Sequence, residues 1–211
     1  MTLREKAALV SAVLVIVGTI WYIYLALSGK KMKPVLAAWI VNSVATMLSF
    51  ATYWTAPKHS FVSNAYNATS ILTINAILIT SLILMRREKK GLSFSSFQKG
   101  CLWFSLSITI FWVVLVWGFH CTGIIPNVLT QGMRLIAYYV IAEKLWKATT
   151  NTESLFGWWC IVAASLAGTI AAAVSHDWLA SLFALSTMIG SLILVLLAHR
   201  VEYRSKLAFV R

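Results

Sequence analysis

The sequence predicts an all-α membrane protein of seven transmembrane helices, and three observations predict it. Of its 211 residues, 60% are hydrophobic and only 11% are charged, too few charges to surface a soluble domain of this size. The apolar residues gather into runs of about 20, the length a helix needs to cross the hydrocarbon. Lysine and arginine are almost confined to the short segments between those runs, and they favour one side of the membrane as the positive-inside bias requires.

The first run, Ala8–Leu27, is too long for a signal-peptide core and has no small-residue cleavage site before Lys30. It reads as a retained span. The second, Val35–Trp54, follows Pro34; the third, Tyr66–Met85, ends on Arg86 and Arg87; the fourth is Cys101–Phe119. The fifth, Asn127–Ala142, is the shortest and is interrupted by Gln131 and Arg134. The sixth, Leu155–Val174, carries Ala164, Gly168 and Ala172, a row of small residues that lets helices approach closely. The seventh is Leu179–Ala198, and it holds no lysine that could form a retinal Schiff base. The connections are a few residues each, so residues 1–211 form a single transmembrane domain.

Counting Lys and Arg by side gives fourteen on the first, third and fifth loops and the C-terminus. Three, Arg4, Lys6 and Lys58, fall on the other side. The N-terminus is therefore expected outside and the C-terminus in the cytoplasm. The net charge of +12 is a matter of topology; it calls for no nucleic-acid partner and adds a weak attraction to anionic lipid of the bilayer. Cys101, Cys121 and Cys160 have unrelated spacings, which give neither a disulfide framework nor a metal site. They read as packing residues. No phosphate-binding glycine loop, paired carboxylates or Ser/His/Asp set occurs, so no catalytic residue, metal or cofactor is expected and the chain does not read as an enzyme.

Spans one to three can be laid over spans five to seven. Ile20, Tyr22 and Ala26 fall on Ile136, Tyr138 and Ala142, Trp39 falls on Trp159, and Ser81–Leu84 is repeated verbatim as Ser191–Leu194. Residues 1–90 then form one three-helix repeat, residues 91–125 a linker helix, and residues 126–211 the second repeat. A three-helix unit ends on the side opposite its start, so a parallel copy needs one extra crossing; this is the 3+1+3 arrangement.

The layout, with Gln131, Tyr138, Lys144-Leu145-Trp146-Lys147, Asn151-Thr152-Glu153-Ser154 and Trp159 and their echo in Trp21-Tyr22, Lys30-Lys31, Pro34 and Trp39, resembles the SWEET and PQ-loop superfamily. It is most similar to bacterial SWEET-like seven-span proteins of unassigned function. The resemblance implies an outside N-terminus, a bacterial inner-membrane location, and transport of a small polar solute by alternating access. That solute is a sugar, a vitamin precursor or a small anion. The family's Pro-Gln pair is absent, the matching stretches reading Ile20-Trp21-Tyr22 and Ile136-Ala137-Tyr138. The Trp deep in the second helix of a repeat is replaced near Leu48 or Phe50, and the third-helix Asn corresponds to Asn75, with Ser186 near its counterpart. The departures leave a second reading open, a non-transporting sensor or assembly subunit on the same fold. Monomer and homo-oligomer both remain open.

The polar residues inside the spans carry the rest. Asn42, Thr46, Ser49 and Tyr53 share one face of span two, and Gln131, Arg134 and Tyr138 one face of span five. Such groups turn toward the bundle interior or a wet cavity. A substrate pocket between spans two, three and five is expected, lined by Asn42, Thr46, Asn75, Gln131, Arg134 and Tyr138. The plainer alternative is interhelical hydrogen bonding, worth about 0.6 kcal/mol per contact. No Asp or Glu lies inside a span, so a carrier here is expected to be passive. Arg134 must either snorkel outward to Asp177 or await an anionic ligand. Trp39, Trp146, Trp158 and Trp159 are expected in the inner interfacial belt and Trp178 in the outer one. His120 and His176 are expected in solvent, and Asn67-Ala68-Thr69, a glycosylation pattern, is expected unused at a helix start.

Overall fold

The structure is a computed structural model that describes residues 1–29, 32–56, 59–88 and 93–210, the last four of these by backbone alone. Lys30, Lys31, Lys58, Lys89, Lys90 and Arg211, which enter the charge count by side, lie outside the described residues.

Among the described residues the fold consists of seven long helices: α1 (Leu3–Leu27), α2 (Leu36–Thr55), α3 (Ala65–Arg87), α4 (Ser96–Val113), α5 (Ile124–Lys147), α6 (Leu155–Val174) and α7 (Trp178–Val210). Several of their starts carry side-chain caps for the exposed amide ends, while α2, α3 and α5 have none. Thr2 with Glu5 and Ser95 with Gln98 form capping boxes on α1 and α4, and the Ser154 hydroxyl accepts from the Gly157 amide at 3.0 Å to open α6. α4 continues into a π-helical turn, Val114–Gly118, and Gly123, at φ +91°, supplies the left-handed residue that turns the chain into α5.

Six of these helices are long and apolar enough to cross a membrane. α5 is long enough at 24 residues, eight more than the predicted span, but its polar residues lower its apolarity. Those residues point inward. Gln131, Arg134 and Tyr138 on α5 and Asn42, Thr46, Ser49 and Tyr53 on α2 are all buried, while Leu72, Trp103, Trp117 and Phe119 are exposed. Large apolar side chains outside and polar ones inside is the distribution a lipid solvent selects.

Helix packing follows the small residues. α6 lies between α1 and α7, α3 lies against α1 and α2, α7 against α5 and α6, and α2 against α5; α4 is peripheral, touching α5 and α2. The α1–α6 approach is close because Gly18 faces α6: a Cβ there would stand 2.7 Å from the Cys160 Cβ. The Ser11 hydroxyl donates to the Ala164 carbonyl at 2.8 Å across the same seam. Ala164, Gly168 and Ala172 are buried, with Gly168 against Tyr66 of α3, so the small-residue row of span six serves packing. Cys101 and Cys160 are buried free thiols in the same interior.

Candidate functional site

At the centre of the bundle lies a small cavity of about 30 Å³, room for one or two waters. Every helix except α4 contributes to its wall, which includes Thr19, Asn42, Ser70, Arg134, Tyr138 and Thr187. Arg134 dominates its chemistry. The side chain is 1% exposed, its Nε and Nη1 have no hydrogen-bond partner, and its guanidinium carbon stands 3.7 Å from the Phe183 ring centroid.

Magnitudes decide what that means. A mid-membrane Arg costs about 2.5–3.5 kcal/mol by insertion scales, and a desolvated cation–π contact returns about 2 kcal/mol. Guanidinium does not lose its proton, so two charged donors are left without a protein partner, each costing more than the about 1–3 kcal/mol of a neutral orphan if nothing in the cavity meets it. On the same wall the Asn42 Oδ1 is also without a partner. The Ser70 hydroxyl donates to the Tyr66 carbonyl at 2.7 Å and that of Thr187 to the Phe183 carbonyl at 2.9 Å; their oxygens keep acceptor capacity, but no acceptor reaches Nε or Nη1 of Arg134.

The expectation that Arg134 snorkels to Asp177 is corrected. Asp177 Oδ2 accepts from the Tyr53 hydroxyl at 2.5 Å, and its Oδ1 accepts from the Ala180 amide at 3.1 Å, capping α7. The Ser60 amide donates to the Tyr53 hydroxyl at 2.6 Å. One end of the bundle is thus closed by a latch from α2 to α7.

The opposite end is closed around Glu153, a carboxylate only 6% exposed. Its Oε1 pairs with Lys144 Nζ at 2.8 Å, and its Oε2 accepts from the Tyr22 hydroxyl and the Trp158 indole, each at 3.3 Å. Lys144 Nζ also donates to the Lys33 carbonyl at 2.6 Å. Between this latch and the cavity lies a plug of four aromatic rings. Trp39 and Trp158 stack at 6.2 Å and 12°, Tyr22 stands edge-on to Trp39 at 5.6 Å, and Tyr138 tilts against Trp158 at 6.1 Å. Trp39 and Trp158 are therefore core residues, which corrects their assignment to an interfacial belt; Trp146, Trp159 and Trp178 are exposed.

Of the six residues expected to line a pocket, Asn42, Arg134 and Tyr138 line the cavity, and Thr46, Asn75 and Gln131 do not. Thr46 donates to the Asn42 carbonyl of its own helix at 2.7 Å. Asn75 accepts from Ser43 at 2.8 Å, joining α3 to α2. Gln131 donates to Ser49 at 3.1 Å and accepts from Ser186 at 2.7 Å, tying α5 to α2 and α7. The Asn75 Nδ2 donates to the Ile71 carbonyl of its own helix at 2.7 Å, and the Gln131 Nε2 also donates to Asn127 Oδ1 at 2.7 Å, so both amides are engaged within and between helices. His120 and His176 are exposed, and Asn67 is buried on α3.

Sequence reasoning did not single out Glu153 or the burial of Trp158. A signal existed for the tryptophan: Trp158 shares a helix face with Ser165 and Ala172, whereas its neighbour Trp159 shares one with Leu166. Glu153 gave none, because its partners Tyr22 and Lys144 come from helices that only the fold brings near it. No family model, curated protein or solved structure matches the chain; the functional reading rests on this geometry.

Proposed function

We propose that the chain is a SWEET-like carrier that moves a small polar solute across the membrane by alternating access, held here in a state closed at both ends. The observation that carries this reading is the pair of latches on either side of one small cavity whose wall includes Asn42, Arg134 and Thr187. Tyr53 and Asp177 join α2 to α7 at one end, and Tyr22 and Glu153 join α1 to the start of α6 at the other. Each latch ties a residue before α4 to one after it. Releasing either would let the two groups of helices part at that end alone.

The packing pairs support a two-repeat construction. Exchanging α1, α2 and α3 with α5, α6 and α7 turns the α1–α6 contact into α5–α2, α1–α3 into α5–α7, and α2–α3 into α6–α7, and all of these occur. The same exchange carries Tyr22 beside Trp39 onto Tyr138 beside Trp158. Two similar three-helix groups with a peripheral α4 are what a 3+1+3 carrier requires. In this reading the Glu153 end faces the cytoplasm, as the charge distribution along the sequence favours, and the Tyr53–Asp177 end faces outward. No carboxylate lies on the cavity wall, so no proton relay is built in and the transport is passive.

Side-specific labelling tests the proposal. A cysteine replaces Thr187 on the cavity wall in a chain whose three native cysteines are alanine, and an impermeant thiol reagent is applied from either face of proteoliposomes. Glu153→Gln is expected to raise labelling from the Glu153 end only, and Tyr53→Phe from the opposite end only. Equal, low labelling from both faces in both variants would favour a rigid, non-transporting protein on the same fold.

A further inference from the structure

We infer that the central cavity is a binding site for a small monovalent anion, of the size of chloride, nitrate or formate, held by Arg134. Three observations converge. Arg134 is buried with Nε and Nη1 unspent, and both belong to a side chain on the wall of a cavity to which six helices contribute. None of the six acidic residues of the chain lines that cavity. Asp177 and Glu153, those of them that are engaged at the two latches, are already bonded to Tyr53 and to Lys144. A permanent cation in a dry interior with no internal counter-ion draws one from solution, because Coulomb attraction is strongest where water is excluded.

The cavity sets the size and the donors set the chemistry. A volume of about 30 Å³ admits an ion of one to a few atoms and excludes a sugar in this closed state. Guanidinium presents its N–H groups in a plane, which suits a halide at the notch between two N–H bonds or an oxyanion along one edge. The Phe183 ring covers one guanidinium face; Nε–H and Nη1–H open onto different edges of the fork, with Cδ between them, so the anion lies along one of the two edges that share Nη2. The Asn42 amide, whose Oδ1 is unpaired, supplies an N–H to the same ion when it is turned half a revolution. As a statement about the transported solute this rests on the carrier reading; as a statement about binding it stands by itself.

The test uses the purified full chain in detergent with sodium gluconate, too large for the cavity, as the reference salt. Chloride, nitrate or formate is titrated in at constant ionic strength while thermal unfolding is followed. A saturable rise in Tm of about 5 °C or more is expected for the small anions. Asn42→Asp places a carboxylate on the cavity wall facing Arg134 and should abolish the response while keeping the protein folded; Arg134→Gln should abolish it as well. A Tm that follows ionic strength regardless of the anion, or an Asn42→Asp variant that responds like the parent, overturns the site. Flux in proteoliposomes separates the two readings. Saturable stabilisation with no anion flux keeps the site and removes the carrier, and flux of a neutral solute with no anion response keeps the carrier and removes the site.

Discussion

Trp39 of α2 and Trp158 of α6 stack face to face, with centroids 6.2 Å apart and planes within 12°, although the alignment of the two halves pairs Trp39 with Trp159. The stack lines the central cavity on the side of the Glu153 latch, to which the Trp158 indole also donates. The adjacent residues Trp158 and Trp159 therefore have opposite fates: one is 1% exposed, the other 46%.

Trp158→Ala is expected to destabilise the protein by about 3–5 kcal/mol, since it removes a large buried ring and leaves a cavity. Trp159→Ala, on the lipid-facing side, is expected to change stability by about 0.5 kcal/mol or less. Chemical or thermal unfolding in detergent measures both, and the reverse order would place the wrong tryptophan in the core.

Gly190→Ala should disturb the site without touching its polar groups. A Cβ at Gly190 would stand 2.4 Å from Cδ2 of Tyr138, well inside van der Waals contact, and the ring has Trp158 on another side. The overpacking is expected to cost about 1–3 kcal/mol. Gly100→Ala, on a helix where nothing lies within 4 Å of the new Cβ, should be neutral or stabilising by up to about 1 kcal/mol. Melting temperatures of the two variants, compared side by side, check the contrast.

Tyr53→Phe removes one hydroxyl that both donates to Asp177 and accepts from Ser60. A bond to a charged acceptor is worth about 1.5–3 kcal/mol, and the loss should fall in that range. Asp177→Ala is expected to cost more, by about 1 kcal/mol, because the same carboxylate also caps α7 through the Ala180 amide. If Asp177→Ala proves the milder change, the Tyr53 hydroxyl is held chiefly by the Ser60 carbonyl, which also lies within reach at 3.0 Å.

Arg134→Met tests the uncompensated charge directly. In a medium whose only anion is gluconate, replacing a buried unpaired cation by an apolar chain of similar length is expected to leave stability unchanged or raise it by about 1–4 kcal/mol. A large loss in that medium would mean that the Phe183 contact and the fold itself depend on the guanidinium.

The helical class, the approximate spans and the inward faces of α2 and α5 were legible in the sequence because each is a local property. Apolar length reports on lipid, and the spacing of Asn42, Thr46, Ser49 and Tyr53 reports on a helix face. Spacing cannot say what a polar face meets. Gln131 and Asn75 share the polar faces that suggest a pocket, and only the fold sets the Ser186 and Ser43 hydroxyls against their amide oxygens. Asp177 read as the partner of Arg134 until Tyr53 was found there instead.

By itself, then, the sequence determined a polytopic helical membrane chain with one costly cation inside it. The tertiary structure decided which polar groups are spent on one another and which remain unspent: Gln131, Asn75, Asp177 and Glu153 on one side, Arg134 and Asn42 on the other. Hydrogen-bond satisfaction is a property of pairs, and the deciding partners here are far apart in sequence, such as Tyr22 and Glu153 or Gln131 and Ser49. Only the packing of the helices sets which of them meet.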